Sequence, residues 1–337
     1  MKIIGAGRYV SSMTAVATDE AFFALVEPLR GELTAHCYRM LGSVHDAQDL
    51  VQETYLRAWR AYGKFEQRSS IRTWMYQIAT NTCLTALQSS ARRPMPTGLG
   101  QPSSDPIGRL DSNPEMTWLE PIPDSVVWGP GETADPAAQV VARESVRLAF
   151  VAALQHLTPQ QRAVVILRDV LAWRASEVAE LLEMTTAGVN STLQRARAHL
   201  GKLAPDQATE RPVDEHGQDL LERYVAAFEN YDVSGIVSLL KEDAVWEMPP
   251  FTGWYQGAAG IGQLISLNCP ASGPGDMRLV PTSANGQPAF AVYMRDADGV
   301  HRAFQIQLLT VTDNAVSHVA AYFDLRLFAT FGLPQQL

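Results

Sequence analysis

Residues His45–Cys83 read HDAQDLVQETYLRAWRAYGKFEQRSSIRTWMYQIATNTC. Just upstream, Ser43 with Asp46 three residues on forms a capping box, so a helix starts here and runs to about Tyr62. Ala47, Leu50/Val51, Thr54/Tyr55 and Ala58 give it an apolar face. Asp46, Asp49, Gln52 and Glu53 fall on another face at three-to-four spacing. A solvated surface helix has this spacing, and so does a partner-binding strip. Cations and aromatics then interleave: Lys64, Phe65, Arg68, Arg72, Trp74 and Tyr76. That mixture suits single-stranded nucleic acid, because cations track phosphates and aromatic faces stack on bases for about 1–3 kcal/mol each. Ser69, Ser70 and Asn81 add groups able to hydrogen-bond exposed base edges. Trp74 and Tyr76 also fit as core residues of the second helix. The combination answers no catalytic need. It suits a protein that grips a large partner with one face and opened DNA with another.

The chain has 337 residues, of which 46% are hydrophobic, enough for two or three domains of ordinary size. Its net charge of −9, taken alone, speaks against nucleic-acid binding. The distribution speaks otherwise: residues 1–18 carry +2, 19–93 carry +1, 94–142 carry −6, 143–202 carry +3 and 203–337 carry −9. Such asymmetry points to separate partners for separate segments. Cys37, Cys83 and Cys269 are far apart and form no CxxC pair. A reducing, cytoplasmic setting is expected, with no disulfide framework, metal site or cofactor. No stretch reads as a signal peptide or as a membrane span.

Residues 1–18 read as a flexible tail and 19–93 as helical. Residues 94–142 hold nine prolines and five glycines and read as an acidic linker, yet they contain the island Trp118, Leu119, Glu120, Pro121. Large apolar residues in a linker are expected to dock. Residues 143–203 return to helix. Thr158-Pro159-Gln160-Gln161 is a strong helix start, which predicts one helix to Leu171, then Ser176–Leu182 and Thr186–Leu200 joined by Glu183-Met184-Thr185. Two helices on a three-residue turn fit a helix-turn-helix, and they fit other helical bundles too. In the DNA reading Thr185 caps the second helix. Thr186, Ala187, Asn190, Ser191 and Gln194 then face the major groove, and Arg195, Arg197 and Lys202 meet phosphates. Residues 214–337 begin with a helix, Glu215–Tyr231, and continue through strand-like runs such as Phe290–Arg295 and Phe304–Thr312, an α+β pattern.

DAQDLVQETYLRAWRAY, SSIRTWMYQIATNTC and LTPQQRAVVILRDVLAWRASEVAELLEMTTAGVNSTLQRARAHL resemble regions 2 and 4 of the extracytoplasmic-function sigma factors of bacterial RNA polymerase. AVWEMPPFTGWYQGAAGI, ANGQPAFAVYMR and FATFGLP resemble a SnoaL-like domain, and the Trp-Leu-Glu-Pro island resembles a linker motif of such fusions. The resemblance implies a multi-domain fold: an all-α region 2 bundle, an all-α region 4 helix-turn-helix, and an α+β cone-shaped barrel at the C-terminus. It implies core RNA polymerase (β and β′ subunits) and promoter DNA as partners. By this resemblance Asp46, Asp49, Gln52 and Glu53 bind the clamp helices of β′. Lys64, Arg68, Ser69, Ser70, Ile71, Arg72, Trp74 and Asn81 read and open the −10 element. The helix Thr186–Leu200 reads the −35 element, through Thr185, Thr186, Ala187, Asn190, Ser191, Gln194, Arg195 and Arg197. The chain departs from the family pattern at Glu183, where the turn usually has glycine, and at Asn190 and Thr192, where the family often has basic residues. Gly188 inside the recognition helix costs about 1 kcal/mol relative to alanine.

Relatives of the SnoaL-like fold include enzymes, whose chemistry needs a general acid or base in an apolar pocket. Pocket candidates here are Trp246, Glu247, Trp254, Tyr255, His301, His318, Tyr322 and Asp324. No His/Asp dyad at diagnostic spacing is visible. The resemblance to such sigma fusions implies a built-in regulatory domain, with room for a small-molecule ligand in its pocket, rather than an enzyme, and its −9 charge suits docking against the basic segments and the linker. A DNA-binding regulator that works without polymerase and a bifunctional enzyme are the alternatives.

Overall fold

The computed structural model describes residues 20, 22–89, 92–128, 143–203 and 215–337. The expected tail 1–18 and the linker portion 129–142 lie outside them. The chain divides into two compact units. The first comprises Met1–Ala91, Val126–Ala134 and Leu157–Arg197; the second comprises Arg92–Ser125, Asp135–His156 and Ala198–Leu337.

In the first unit, α1 (Arg30–Leu41), α2 (Val44–Tyr62) and α3 (Ile71–Ala86) pack around Leu33, Cys37, Tyr38, Val51, Tyr55 and Met75, all buried. Gly42 ends α1 at φ 73°, where a side chain would be strained, and its N–H returns to the Tyr38 carbonyl. Ser43 then caps α2 by accepting from the Asp46 N–H, as its position in the sequence predicts. Ser70 caps α3 in the same way through the Thr73 N–H. Between α1 and α3, His36 is fully buried with Nε2 2.9 Å from the Thr80 hydroxyl. Desolvation, and then the Arg39 charge, lower its pKa to about 3.

Thr158 and Gln161 form the expected capping box on α4 (Pro159–Val165). The single helix expected to reach Leu171 instead changes pitch. Ile166–Val170 is a π-turn, with the Leu171 N–H bonded to the Ile166 carbonyl five residues back. The Trp173 N–H bonds to the Leu167 carbonyl and the Arg168 guanidinium holds the Trp173 carbonyl, so Trp173 supplies partners to the wider turn. The Arg162 guanidinium donates to the Met40 and Leu157 carbonyls, tying α4 to the end of α1. Next come α5 (Ala175–Leu181) and α6 (Thr186–Leu203), joined through Glu183 at φ 52°.

In the second unit β1 (Leu240–Glu247), β2 (Trp254–Gln256), β3 (Met277–Ala284), β4 (Gln287–Arg295), β5 (His301–Thr312) and β6 (Ala315–Tyr322) form one sheet in the order β2-β1-β6-β5-β4-β3. The β1–β6 pair is parallel and the others are antiparallel. Asn285-Gly286, both at positive φ, makes the tight β3–β4 turn, a standard hairpin dipeptide. The first helix of this region runs Glu215–Glu229, shorter than expected, because Tyr231 adopts φ 51° and breaks the pitch. Together with the helices Val233–Leu239 and Ala258–Asn268 it packs on one sheet face, through Tyr224, Phe228, Ile236, Ile261 and Leu264. We call this the inner face. The α+β class matches expectation.

The described part of the linker is not a free tether. Up to Ser125 it packs within the second unit, as does the helix Leu148–Leu154. Residues 143–203, expected as one block, are therefore shared between the two units.

Candidate functional site

On α2, Asp49 and Gln52 are exposed, while Asp46 and Glu53 are half-buried. Glu53 accepts from Arg57 at 2.7 Å, one turn on. Leu56 and Trp59 continue the same strip and remain 48% and 42% exposed, unusual for side chains of that size. Neither residue is among the sequence candidates, although their three-to-four spacing from Gln52 and Glu53 carries the signal. The strip is thus acidic at one end and apolar at the other, fit for a protein partner.

In the loop after α2, Lys64, Arg68 and Ser70 are exposed and Ser69 and Ile71 half-buried. Trp74 is half-buried and stacks on Phe65, with ring centroids 4.7 Å apart, and Phe65 in turn lies 6.4 Å from Tyr62. The stack holds one aromatic edge beside the basic loop. Arg72 is already engaged: it makes a fork to both Glu32 carboxylate oxygens and lies over the Tyr76 ring at 5.0 Å. Tyr76 is buried and donates to the same carboxylate at 3.1 Å, so it is a core residue. Asn81 is exposed on α3, beyond this cluster.

On α6, Thr185, Thr186, Ala187, Asn190, Ser191, Gln194, Arg195 and Arg197 are all exposed. Val189, Thr192, Leu193 and Ala196 turn inward. Thr185 caps the helix by accepting from the Gly188 N–H at 3.0 Å. A Cβ at Gly188 would sit 3.1 Å from that hydroxyl, so the glycine leaves the cap its space. Arg197 forms a two-bond pair with Asp169 at 2.6 and 2.9 Å, while Arg195 donates to the Thr192 hydroxyl at 3.4 Å.

The linker island is buried: Trp118 is 8% exposed and Leu119 is fully covered. The Trp118 indole N–H donates to the Asn113 carbonyl and the Leu119 N–H to the Pro94 carbonyl. Further along, Pro121 is buried and Glu120 half-buried. The Ile122 N–H and the Val146 carbonyl both bind the Asn285 side chain at the β3–β4 turn. The Gly286 N–H donates to Asp124, whose carboxyl pKa is raised mainly by burial. Toward the other sheet edge, the Thr97 N–H donates to Glu247 Oε2 at 2.8 Å, and Glu247 Oε1 lies 2.7 Å from His318 Nε2. The Tyr322 hydroxyl meets the Met95 sulfur at 3.4 Å.

These contacts relocate most of the pocket candidates. Neighbouring strand residues point to opposite faces. Trp246 faces inward, and Glu247, with His318 and Tyr322 across the sheet, lies on the outer face under the linker. Trp254 donates to the Gln101 carbonyl at the sheet edge. The Tyr255 ring joins the core, its phenol pKa raised by burial and then by Asp105 and Asp111. His301 binds the Gly275 carbonyl, and Asp324 pairs with Arg326. Of the eight, Trp246 alone lines the inner cavity, which measures about 280 Å³ and is otherwise walled by such residues as Phe228, Leu264, Phe304, Gln305 and Gln307. Among the described lining residues none is charged.

Residues 25–93 match the Sigma-70 region 2 family, 147–200 match Sigma-70 region 4, and 221–321 match the SnoaL-like domain. The chain belongs to the extracytoplasmic-function RNA polymerase sigma factors, with a SnoaL-like C-terminal domain. It is 57% identical to the sigma factor SigG of Mycobacterium tuberculosis over 94% of this chain and 85% of that one. It is 33% identical to SigJ of the same species over 69% of this chain and 65% of that one. The crystal structure of SigJ has the same fold: 24% identity, TM-score 0.59, covering 92% of this chain and 98% of that one. Among the described residues, no helix is long and apolar enough to cross a membrane.

Proposed function

We propose that the chain binds core RNA polymerase in the cytoplasm and directs it to promoters, with the α2 strip on β′, the Lys64–Trp74 segment on the opened −10 element and α6 on the −35 element. The observation that carries promoter reading is the division of α6, where the polar candidates lie on the exposed face and the apolar residues lie inside. Asn190, Ser191 and Gln194 would read base edges, and Arg195 would position the helix on phosphate. Footprinting of the holoenzyme tests this. Asn190→Ala is expected to relax base preference at one position, whereas Arg195→Ala weakens −35 contacts on every sequence alike. Loss of base preference by neither Asn190→Ala, Ser191→Ala nor Gln194→Ala would refute the assignment.

The C-terminal domain regulates this activity through the linker. Support comes from Thr97, Met95 and Ile122, which are held by Glu247, Tyr322 and Asn285 of the sheet. An uncharged cavity lining suits a bound ligand and offers nothing to a general acid or base, which favours sensing over turnover.

A further inference from the structure

The inner cavity carries a chemical signature of its own. Its walls are mostly aliphatic and aromatic, yet three buried polar atoms around it have no hydrogen-bond partner: Trp246 Nε1, Gln305 Oε1 and Gln307 Nε2. Their residues are 3%, 6% and 0% exposed. An unpaired buried polar group is costly and most such groups in folded proteins are satisfied. Three around one cavity mark the positions where something else supplies the partner.

The role of the Gln307 amide is set by its partner. Tyr224, kept protonated by complete burial, donates to Gln307 Oε1 at 2.9 Å, and this turns the Gln307 amide nitrogen away as a donor. Trp246 can only donate. Gln305 offers an acceptor. Trp246 stands on β1 and the two glutamines on β5, with β6 between them, so the polar atoms rise from strands about 10 Å apart on one face. An apolar cavity of roughly 150 Å³ holds a benzene ring. At about 280 Å³ this one accommodates a fused-ring molecule.

We propose that this cavity binds a neutral, largely hydrocarbon molecule bearing a carbonyl oxygen, which accepts from Trp246 Nε1 or Gln307 Nε2. A carboxylate is excluded because no described lining residue carries a balancing charge, and an unpaired buried anion is far costlier than a ketone. The linker forms part of the wall through Leu110. Segment 111–113 is pinned beside the mouth: the Thr252 N–H bonds to the Asp111 carbonyl, Ser112 bridges Phe251, and the Asn113 N–H bonds to the Pro250 carbonyl. Occupancy and linker docking are therefore linked, each favouring the other. This deepens the regulatory reading above and rests on it for its biological meaning, but not for its test.

The test is calorimetric titration of the full chain, without polymerase, using three probes of similar size: 1-tetralone, its parent hydrocarbon tetralin, and 1-naphthoate. The ketone is expected to bind about tenfold tighter than either of the others, the factor a satisfied buried donor contributes. Trp246→Phe and Gln307→Leu together are expected to abolish the advantage over tetralin while leaving tetralin binding in place. Saturating tetralone is also expected to slow proteolysis between residues 98 and 113. Binding of none of the probes, equal binding of all three, or preference for 1-naphthoate would overturn the ligand class. Unchanged proteolysis at saturation would overturn the linkage. Since no step involves polymerase, failure here is distinguishable from failure of the chain to act as a sigma factor.

Discussion

Glu183 shows how a residue other than glycine can hold a left-handed turn and keep the geometry. The turn between α5 and α6 needs a left-handed backbone, and the chain supplies it with a glutamate at φ 52°. An L-residue there costs roughly 1–2 kcal/mol. Glu183→Gly is therefore expected to stabilise the helix-turn-helix by about 1 kcal/mol, seen as about fivefold slower amide exchange in α5 and α6. Unchanged or faster exchange would mean that the strain is relieved elsewhere. His36 gives a second prediction at this scale. Its pKa is lowered to about 3 in the folded chain against 6.5 outside it. The unfolded state thus binds more protons below pH 6.5, and stability is lost as pH falls from there toward 3. Between pH 7 and pH 5 the first unit is expected to lose about 2 kcal/mol, read from its urea midpoint. A His36→Gln chain should lose this slope, and the His36 ring should show no NMR titration above pH 4; a ring titrating near 6.5 would refute the account.

At the scale of elements, α2 is the helix proposed to face the polymerase, and the linker residues 92–125 pack as part of the second unit. Reversing the charge of Asp49 and Glu53 to lysine is expected to weaken polymerase binding at least about tenfold at low salt with helix content unchanged, measured by competition against the unaltered chain. Equal competition would reject the strip. Trp118→Ala removes a buried indole, a loss of about 3–5 kcal/mol if the site cannot collapse. The linker around it should then be cut faster by protease, and an unchanged rate would show that the docking lies elsewhere. Helix starts are the most legible elements in the sequence: Ser43, Thr158 and Thr185 each cap where they stand, because a cap is a local bond. The π-turn at Ile166–Val170 is not legible, since it is set by Arg168 reaching forward to Trp173. The pocket motif is too coarse. It groups Trp246 with Glu247, although a strand must send neighbours to opposite faces. His301 and Asp324 cannot be sorted by pattern, because their partners Gly275 and Arg326 come from loop and helix contacts without periodicity.

At the scale of the molecule, α3 and the part of α6 up to Arg197 lie within one compact unit. A unit of this size has a radius of gyration of roughly 14 Å. The −10 and −35 elements stand about 25 base pairs apart, roughly 85 Å of duplex at 3.4 Å per pair. Under the proposed assignments both readers cannot engage until the unit opens. Fluorophores at positions 81 and 190 are expected to move apart by tens of ångströms on polymerase binding, a distance change readable by energy transfer. A constant distance in the promoter-bound holoenzyme would contradict the assignment of at least one reader.

The central claim is that this chain is a promoter-directing subunit of RNA polymerase. Reconstitution of the full chain and of the Trp118→Ala chain with core polymerase, followed by run-off transcription from the promoter mapped upstream of an induced start site, tests it most directly. Specific transcripts with at least one of the two chains, lost on charge reversal at Asp49 and Glu53, is the predicted result. Failure of both chains to form holoenzyme, or transcripts no different from those of core polymerase alone, would contradict it.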